Sequence, residues 1–156
     1  MAIFQYETLD TRNEKQIHLL SDIWHDPETR KYFPGFNETI MSFEDYVQNI
    51  WKRQNVDRRD YFSTYHDRYI GWLNINSYRS LKISVELMYA IHPHFRKQHL
   101  GNEMVRLFLE ELKRDMIQHV EAQVGKDNYS SQKILLYNQF KQVELDRKSF
   151  YFWKKL

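Results

Sequence analysis

The sequence predicts an α+β fold, an α/β sandwich in which a mixed, mostly antiparallel sheet of about seven strands is flanked by about four helices. Three observations carry this. Patterns of period 2 and of helical period follow one another in the order β-α-α-β-β-β-α-β-α-β-β. The three strands in the middle of the chain are joined by short turns, which makes them antiparallel neighbours. And 156 residues, 42% of them hydrophobic, with only 4 Gly and 3 Pro, suit one compact domain over 1–156 with little room for linkers.

The elements follow in order. Ile3, Phe4, Tyr6 and Leu9 fall in a breaker-free run of β-favouring types, a first strand over 3–9. Thr11, with Glu14 three residues on, has the form of a capping box, and Ile17, Leu19, Leu20, Ile23 and Trp24 form a helical apolar face behind it. Asp26-Pro27 interrupts this helix, and Lys31 to Phe36 reads as loop. Ser42 can cap a second helix whose apolar face is Phe43, Tyr46, Val47, Ile50 and Trp51. A polar segment, Lys52 to Asp60, leads into strands at 61–65 and 69–75 around the turn His66-Asp67-Arg68. Ser77-Tyr78-Arg79-Ser80 joins these to a longer strand, Ile83 to Ile91. Alternation there puts Ile83, Val85, Leu87, Tyr89 and Ile91 on one face and Ser84, Glu86, Met88 and Ala90 on the other. A helix over 100–116 carries Leu100, Met104, Leu107, Phe108, Leu112 and Met116 on roughly one face. A strand at 119–124, a helix at 130–140 and a hairpin of 143–145 with 150–153 close the chain.

Composition excludes several functions. Lys+Arg 23 against Asp+Glu 21 gives a net charge of +2, which does not suit a dedicated nucleic-acid binder. With no cysteine there is no disulfide framework, thiol nucleophile or thiolate zinc site. His92, His94 and His99 lie close together, but no nearby carboxylate completes a metal site, so none is expected. The first residues lack the charged and apolar parts of a signal peptide, and no run approaches the roughly 18 apolar residues of a membrane span. A soluble cytoplasmic domain is the expectation.

The chemistry centres on the strand-turn-helix unit from Val85 to Met116. Its turn is basic, with Arg96, Lys97 and His99, and precedes a helix whose first amides and positive dipole end favour an anion. The run Arg96-Lys97-Gln98-His99-Leu100-Gly101 is similar to the Arg/Gln-x-x-Gly-x-Gly/Ala signature of GCN5-related N-acetyltransferases (GNAT), with His99 in place of a glycine. Asn128-x-x-Ser131 followed by Phe140 resembles that family's Asn-x-x-Ser…Gly-Phe segment, with Gln139 in place of the glycine. Glu86-Leu87-Met88-Tyr89-x-x-x-Pro93 looks closest to the branch typified by ribosomal-protein N-terminal acetyltransferases.

The resemblance implies an acetyl-CoA-dependent N-acetyltransferase acting on a primary amine, either a small amine or a peptide or protein N-terminus, by direct attack in a ternary complex. It implies that the segment Arg96, Lys97, Gln98, His99, Leu100, Gly101 and Asn102 holds the pyrophosphate. Main-chain groups of Tyr89 and Ile91 would pair with the pantetheine amides, and Asn128 and Ser131 would contact the pantetheine arm or the acceptor loop; the last two also suit helix capping. His99 fits if its φ stays negative.

Glu86, between apolar strand neighbours, is the candidate general base, burial raising its pKa toward a useful range; the alternative is a structural ion pair. The family's usual acid position is Leu135 here. Tyr137 is the nearby tyrosine, turned about 200° away on a helix. Residues 24–51 and the last hairpin are expected to form the acceptor pocket. Phe150-Tyr151-Phe152-Trp153 suits a core or interface strand, compatible with a homodimer. Two further readings stay open, a catalytically degenerate acyl-CoA-binding sensor and a non-enzymatic protein- or nucleic-acid-binding module.

Overall fold

The computed structural model describes residues 3–77 and 83–156. Among the described residues, seven strands and five α-helices follow in the order β1 (Phe4–Thr8), α1 (Glu14–His25), α2 (Pro27–Tyr32), α3 (Phe43–Arg53), β2 (Arg58–Tyr65), β3 (Arg68–Ser77), β4 (Ser84–Ile91), α4 (Leu100–Arg114), β5 (His119–Gly125), α5 (Tyr129–Tyr137), β6 (Lys141–Glu144) and β7 (Ser149–Lys155). The strands form one sheet in the order β1-β2-β3-β4-β5-β7-β6. β4 and β5 pair in parallel; β1 with β2, β5 with β7 and β6 with β7 pair antiparallel. This is the α+β class predicted, with one more helix. The expected joining segment at 77–80 lies largely outside the described residues.

The extra helix, α2, is six residues long, too short to show a period. Asp26 caps it, accepting from the Thr29 amide, and Pro27 occupies its first turn, where a missing N–H costs nothing. The cap of α1 is also not the expected one. Asn13 accepts from the Gln16 amide, while the Gln16 side chain accepts from Asp10 N and donates to the Thr8 carbonyl. Thr11 therefore sits in the preceding turn. Ser42 caps α3 through the Asp45 amide as expected.

Contacts divide the chain into two compact units, residues 1–75 with 89–96, and 76–88 with 97–156. In the first, Leu19, Leu20, Ile23 and Trp24 of α1 and Val47 and Ile50 of α3 cluster with Phe62, Trp72 and Ala90. Trp51, assigned to the buried face of α3 by spacing, is instead 44% exposed. β2 starts three residues earlier than its apolar pattern suggests, because Arg58 and Asp60 are both buried. Asp60 accepts twice from Arg58 (2.7 and 2.9 Å), once from Trp72 Nε1 (2.8 Å) and once from Gln54 (2.8 Å). Arg58 also donates to the Tyr46 hydroxyl at 3.1 Å. Burial pushes the Tyr46 phenol up to about 12, so it stays protonated. The β2–β3 hairpin turns on His66 (φ 48°) and Asp67 (φ 64°), both left-handed as a type I′ turn requires.

In the second unit, α4 buries Gly101, Met104, Val105, Phe108, Leu109 and Leu112. Met116, expected on that face, is 74% exposed. Its φ of 67° ends the helix: Met116 N donates to Lys113 O and Ile117 N to Leu112 O, the paired bonds of a Schellman cap, which turn the side chain outward. Along the sheet, Val85, Leu87, Val120, Ala122, Val124 and Phe152 are buried. Alternation sends Glu86, Glu121, Tyr151 and Trp153 to the opposite face, each half-buried.

Candidate active site

The turn between β4 and α4 begins with a single 3-10 turn, Pro93–Phe95, capped by His92, whose Nδ1 accepts from the His94 amide at 3.1 Å. That bond leaves the proton on Nε2, which donates to Asp22 Oδ2 at 2.8 Å. The pair borders a cavity of about 540 Å³ in the first unit, lined also by His18, Tyr69 and Phe95. His92 is thereby held in the first unit by Asp22.

After Arg96, both Lys97 (φ 62°) and His99 (φ 60°) adopt left-handed backbone, and Lys97, Gln98 and His99 are exposed. The condition that His99 keep a negative φ is not met. The turn requires the left-handed conformation at this position, and histidine takes it at a cost of about 1–2 kcal/mol. His99 is the N-cap of α4 yet makes no side-chain cap bond. The amides of Leu100, Gly101 and Asn102, which no helix can satisfy internally, are thus left for another acceptor. The start of α4 is fixed from within its unit: Asn138, buried, donates to the Asn102 carbonyl at 3.2 Å.

Asn138 ends α5, and Gln139 follows it with φ 65°. Gln139 N donates to Leu136 O and Phe140 N to Leu135 O, a second Schellman cap. Both residues that stand in place of glycine, His99 and Gln139, therefore hold glycine-like backbone. At the other end of α5, Asn128 Oδ1 accepts from the Ser131 amide at 3.2 Å, so the capping reading of this pair holds. Leu135 is fully buried, whereas Tyr137 is 56% exposed with its hydroxyl 3.5 Å from Glu103 Oε1.

Glu86 lies opposite Glu121 in the parallel β4–β5 ladder, so both carboxylates rise from the same sheet face. Burial, and secondly the Glu121 charge, hold the Glu86 carboxyl above the ordinary glutamate range. Tyr151 on β7 stands two rungs along, opposite Gln123 and on the same face, and hydrogen-bonds to Glu121. Burial first, then that hydrogen bond and charge, push the Tyr151 phenol up to about 12. Sequence reasoning selected Glu86 but missed Glu121 and Tyr151. The hint was alternation at 119–124, which puts Glu121 on the face away from Val120, Ala122 and Val124; its pairing with Glu86 depends on a parallel register with no local signal.

Tyr89 and Ile91 are half-buried near the end of β4. The Arg96 guanidinium is engaged by Asp26 (2.8 Å), Glu28 (3.2 Å) and Thr29 Oγ1 (2.9 Å). Among the described residues, no group of three or more His, Cys, Asp or Glu side chains is arranged to hold a metal ion, and no helix is long and apolar enough to cross a membrane.

Comparison with known proteins bears on this arrangement. No curated protein sequence matches the chain. The ribosomal L7/L12 alpha-N-protein acetyltransferase RimL, solved in complex with coenzyme A, superposes with a TM-score of 0.80 at 13% identity, covering 100% of this chain and 96% of that one. The spermidine N-acetyltransferase of Vibrio cholerae, solved with CoA and spermine, gives 0.82 at 11% identity over 98% and 95% of the two chains. The N-acetyltransferase PseH of Campylobacter jejuni gives 0.68 at 18% identity over 99% of each. These similarities establish a shared fold. A family model described as an acetyltransferase (GNAT) domain matches residues 9–141, and the chain accordingly belongs to the GNAT acetyltransferases.

Proposed function

We propose that this acetyltransferase carries the acetyl group of acetyl-CoA to a primary amine, with Glu86 as the general base. The observation that carries the assignment is the environment of Glu86. It is half-buried on the sheet face, without a cationic bonding partner among the described residues, and held above its ordinary range by burial and by Glu121. A carboxylate so placed is a better proton acceptor near neutral pH than an exposed one. Glu86 takes a proton from the acceptor ammonium, the amine nitrogen forms a bond to the thioester carbonyl carbon, and the carbon–sulfur bond breaks as CoA leaves. The departing thiolate takes a proton, with Tyr137 as the candidate donor, and the second proton that the nitrogen sheds as the amide forms restores the phenol. No covalent enzyme intermediate is needed, consistent with the lack of cysteine.

The pyrophosphate would rest on the amides of the turn through Gln98, His99, Leu100, Gly101 and Asn102, with Lys97 adding charge. Support comes from the left-handed residues at 97 and 99 and from the absence of a side-chain cap at His99. Main-chain groups of Tyr89 and Ile91 would pair with the pantetheine amides, and Asn128 and Ser131 would border the arm. The acceptor is a cationic amine on this reading, because Glu86 and Glu121 together present two carboxylates on one face. Both a small amine and a peptide N-terminus meet that description.

Thiol release measured over a panel of amines and N-terminal peptides tests the reading. Turnover by the wild type and its loss by about 10²–10⁴ in kcat/KM for Glu86→Gln is the expected result. CoA binding by calorimetry without turnover on any amine would leave a binding protein instead, and no binding at millimolar CoA would sink the assignment altogether.

A further inference from the structure

The end of α5 closes through main-chain amides: Asn138 N donates to Ile134 O, Gln139 N to Leu136 O and Phe140 N to Leu135 O. The Asn138 side chain is not needed for that cap, yet the residue is only 4% exposed. Its carboxamide has two hydrogens to give, and Ile134 O at 3.0 Å and Asn102 O at 3.2 Å accept them. Asn102 stands in the first turn of α4, where its carbonyl also accepts the ordinary helical bond. A carbonyl has two lone pairs, so the bond from Asn138 adds to the helical one rather than replacing it. The main chain of Asn138 is held in its turn, because its own carbonyl accepts from Lys154 Nζ of β7 at 2.7 Å. The last turn of α5, the first turn of α4 and β7 thus meet at one buried residue. All three lie in the second unit, together with the turn at 97–102.

The amides of Leu100, Gly101 and Asn102 belong to the same helical turn as the Asn102 carbonyl, so a hold on that carbonyl is a hold on them. His99 supplies no side-chain cap to this turn. Donors fixed in advance bind an anion better than donors that must be ordered on binding. We infer that Asn138 is a positioning residue: its carboxamide, held through the main chain by Lys154, fixes the first turn of α4 so that its free amides are aimed for the pyrophosphate of acyl-CoA. The inference rests on the acyl-CoA reading of the turn. Asn138 is uncharged and its hydrogens are engaged by the two carbonyls, so it acts on the ligand through the turn.

Calorimetry with CoA on wild type, Asn138→Ala, Asn138→Asp and Lys154→Met tests it, with turnover of acetyl-CoA and of acetyl-pantetheine alongside. Acetyl-pantetheine carries the thioester and its arm but no pyrophosphate. Asn138→Ala is expected to weaken CoA about tenfold, the scale of a buried hydrogen bond lost. Its kcat/KM falls about tenfold with acetyl-CoA and less than about twofold with acetyl-pantetheine. Asn138→Asp keeps the shape but gives neither carbonyl a hydrogen, so it loses at least as much as alanine. The salt dependence of CoA binding by Asn138→Ala stays as in the wild type, since no charge has gone. Lys154→Met removes the support of the Asn138 carbonyl and weakens CoA about threefold; it carries the same comparison should Asn138→Ala fail to fold, which its urea transition shows. The inference is overturned if Asn138→Ala, or Lys154→Met in its place, binds CoA as tightly as wild type, or if Asn138→Asp is indistinguishable from wild type. A fall by the same factor with both thioesters also overturns it, because that marks a general loosening of the site. Failure of the wild type itself to bind CoA would remove the acyl-CoA reading and this inference with it.

Discussion

Replacing Asp60 by asparagine removes the centre of the buried network beneath α3. The carboxylate accepts four hydrogen bonds, two of them from a guanidinium that is itself only 9% exposed. Asparagine keeps the shape but offers one acceptor oxygen and an NH₂ that points hydrogens at donors. At least one donor is left unsatisfied, and the Arg58 charge stays buried without its counter-ion. Breaking a buried pair in this way costs about 3–5 kcal/mol, a large share of the roughly 5–15 kcal/mol that holds a domain together. At about 2–4 °C per kcal/mol for a chain of this size, the melting temperature should fall by roughly 10 °C. Urea unfolding followed by tryptophan fluorescence measures it, with Trp72 reporting from inside the network. Arg58→Met/Asp60→Asn should lose less than Asp60→Asn alone, because the orphaned charge leaves with the arginine. A loss below about 1 kcal/mol for Asp60→Asn, or a double variant worse than the sum of the singles, would refute the claim that burial of an unpaired charge sets the cost.

Three further outcomes are expected. Glu86→Gln should lower activity yet raise stability at neutral pH. The folded carboxyl titrates above its unfolded value, so the native state holds more protons, and ionising Glu86 as pH rises through that window takes stability away; chemical denaturation at pH 4 and pH 7.5 should show the variant's advantage only at the higher pH. His99→Gly should stabilise the fold by about 0.5–1 kcal/mol, the left-handed cost of about 1–2 kcal/mol less the chain entropy of glycine, and a lower urea midpoint would contradict it. For Asp26, whose folded pKa is depressed, the stabilising contribution is present above the unfolded value of 3.8 and is lost as pH falls through the folded one. Arg96→Ala should therefore be less stable than wild type at neutral pH, with the gap narrowing as pH falls below 3.8.

How far the sequence foretold this molecule depended on whether the deciding force was local. The long apolar stripe of α4, the alternation of β4 and the closing hairpin are local periodicities, and the structure contains them within a few residues of the expected bounds. α2 escaped because six residues show no period, although Asp26-Pro27 is itself a capping signal. Arg58 and Asp60 read only as the end of a polar segment leading into strands; they are buried because each neutralises the other and Trp72 and Gln54 complete the bonding, a tertiary arrangement. The same reasoning applies at the site. Glu86 could be chosen from alternation, but Glu121 comes into play through β4–β5 pairing across 35 residues of chain and Tyr151 through the pairing of β7 with β5. His99 was legible as a departure from glycine, while its backbone conformation was decided by the turn rather than by its own preference.

The strand order β5-β7-β6 has a consequence for how the chain is made. β7 pairs with β5 along seven residues and with β6 along four, so the strand that comes last of these three lies between the other two. Until residues 149–155 emerge during synthesis, β5 offers an open edge on that side, β6 has no neighbour, and Phe152, fully buried in the finished fold, is missing. Such an edge is a template for pairing with another chain. Nascent chains stalled before residue 149 should therefore be more prone to aggregation than their exposed polar surface suggests. Protecting β5 in that interval falls to whatever meets the chain as it leaves the ribosome.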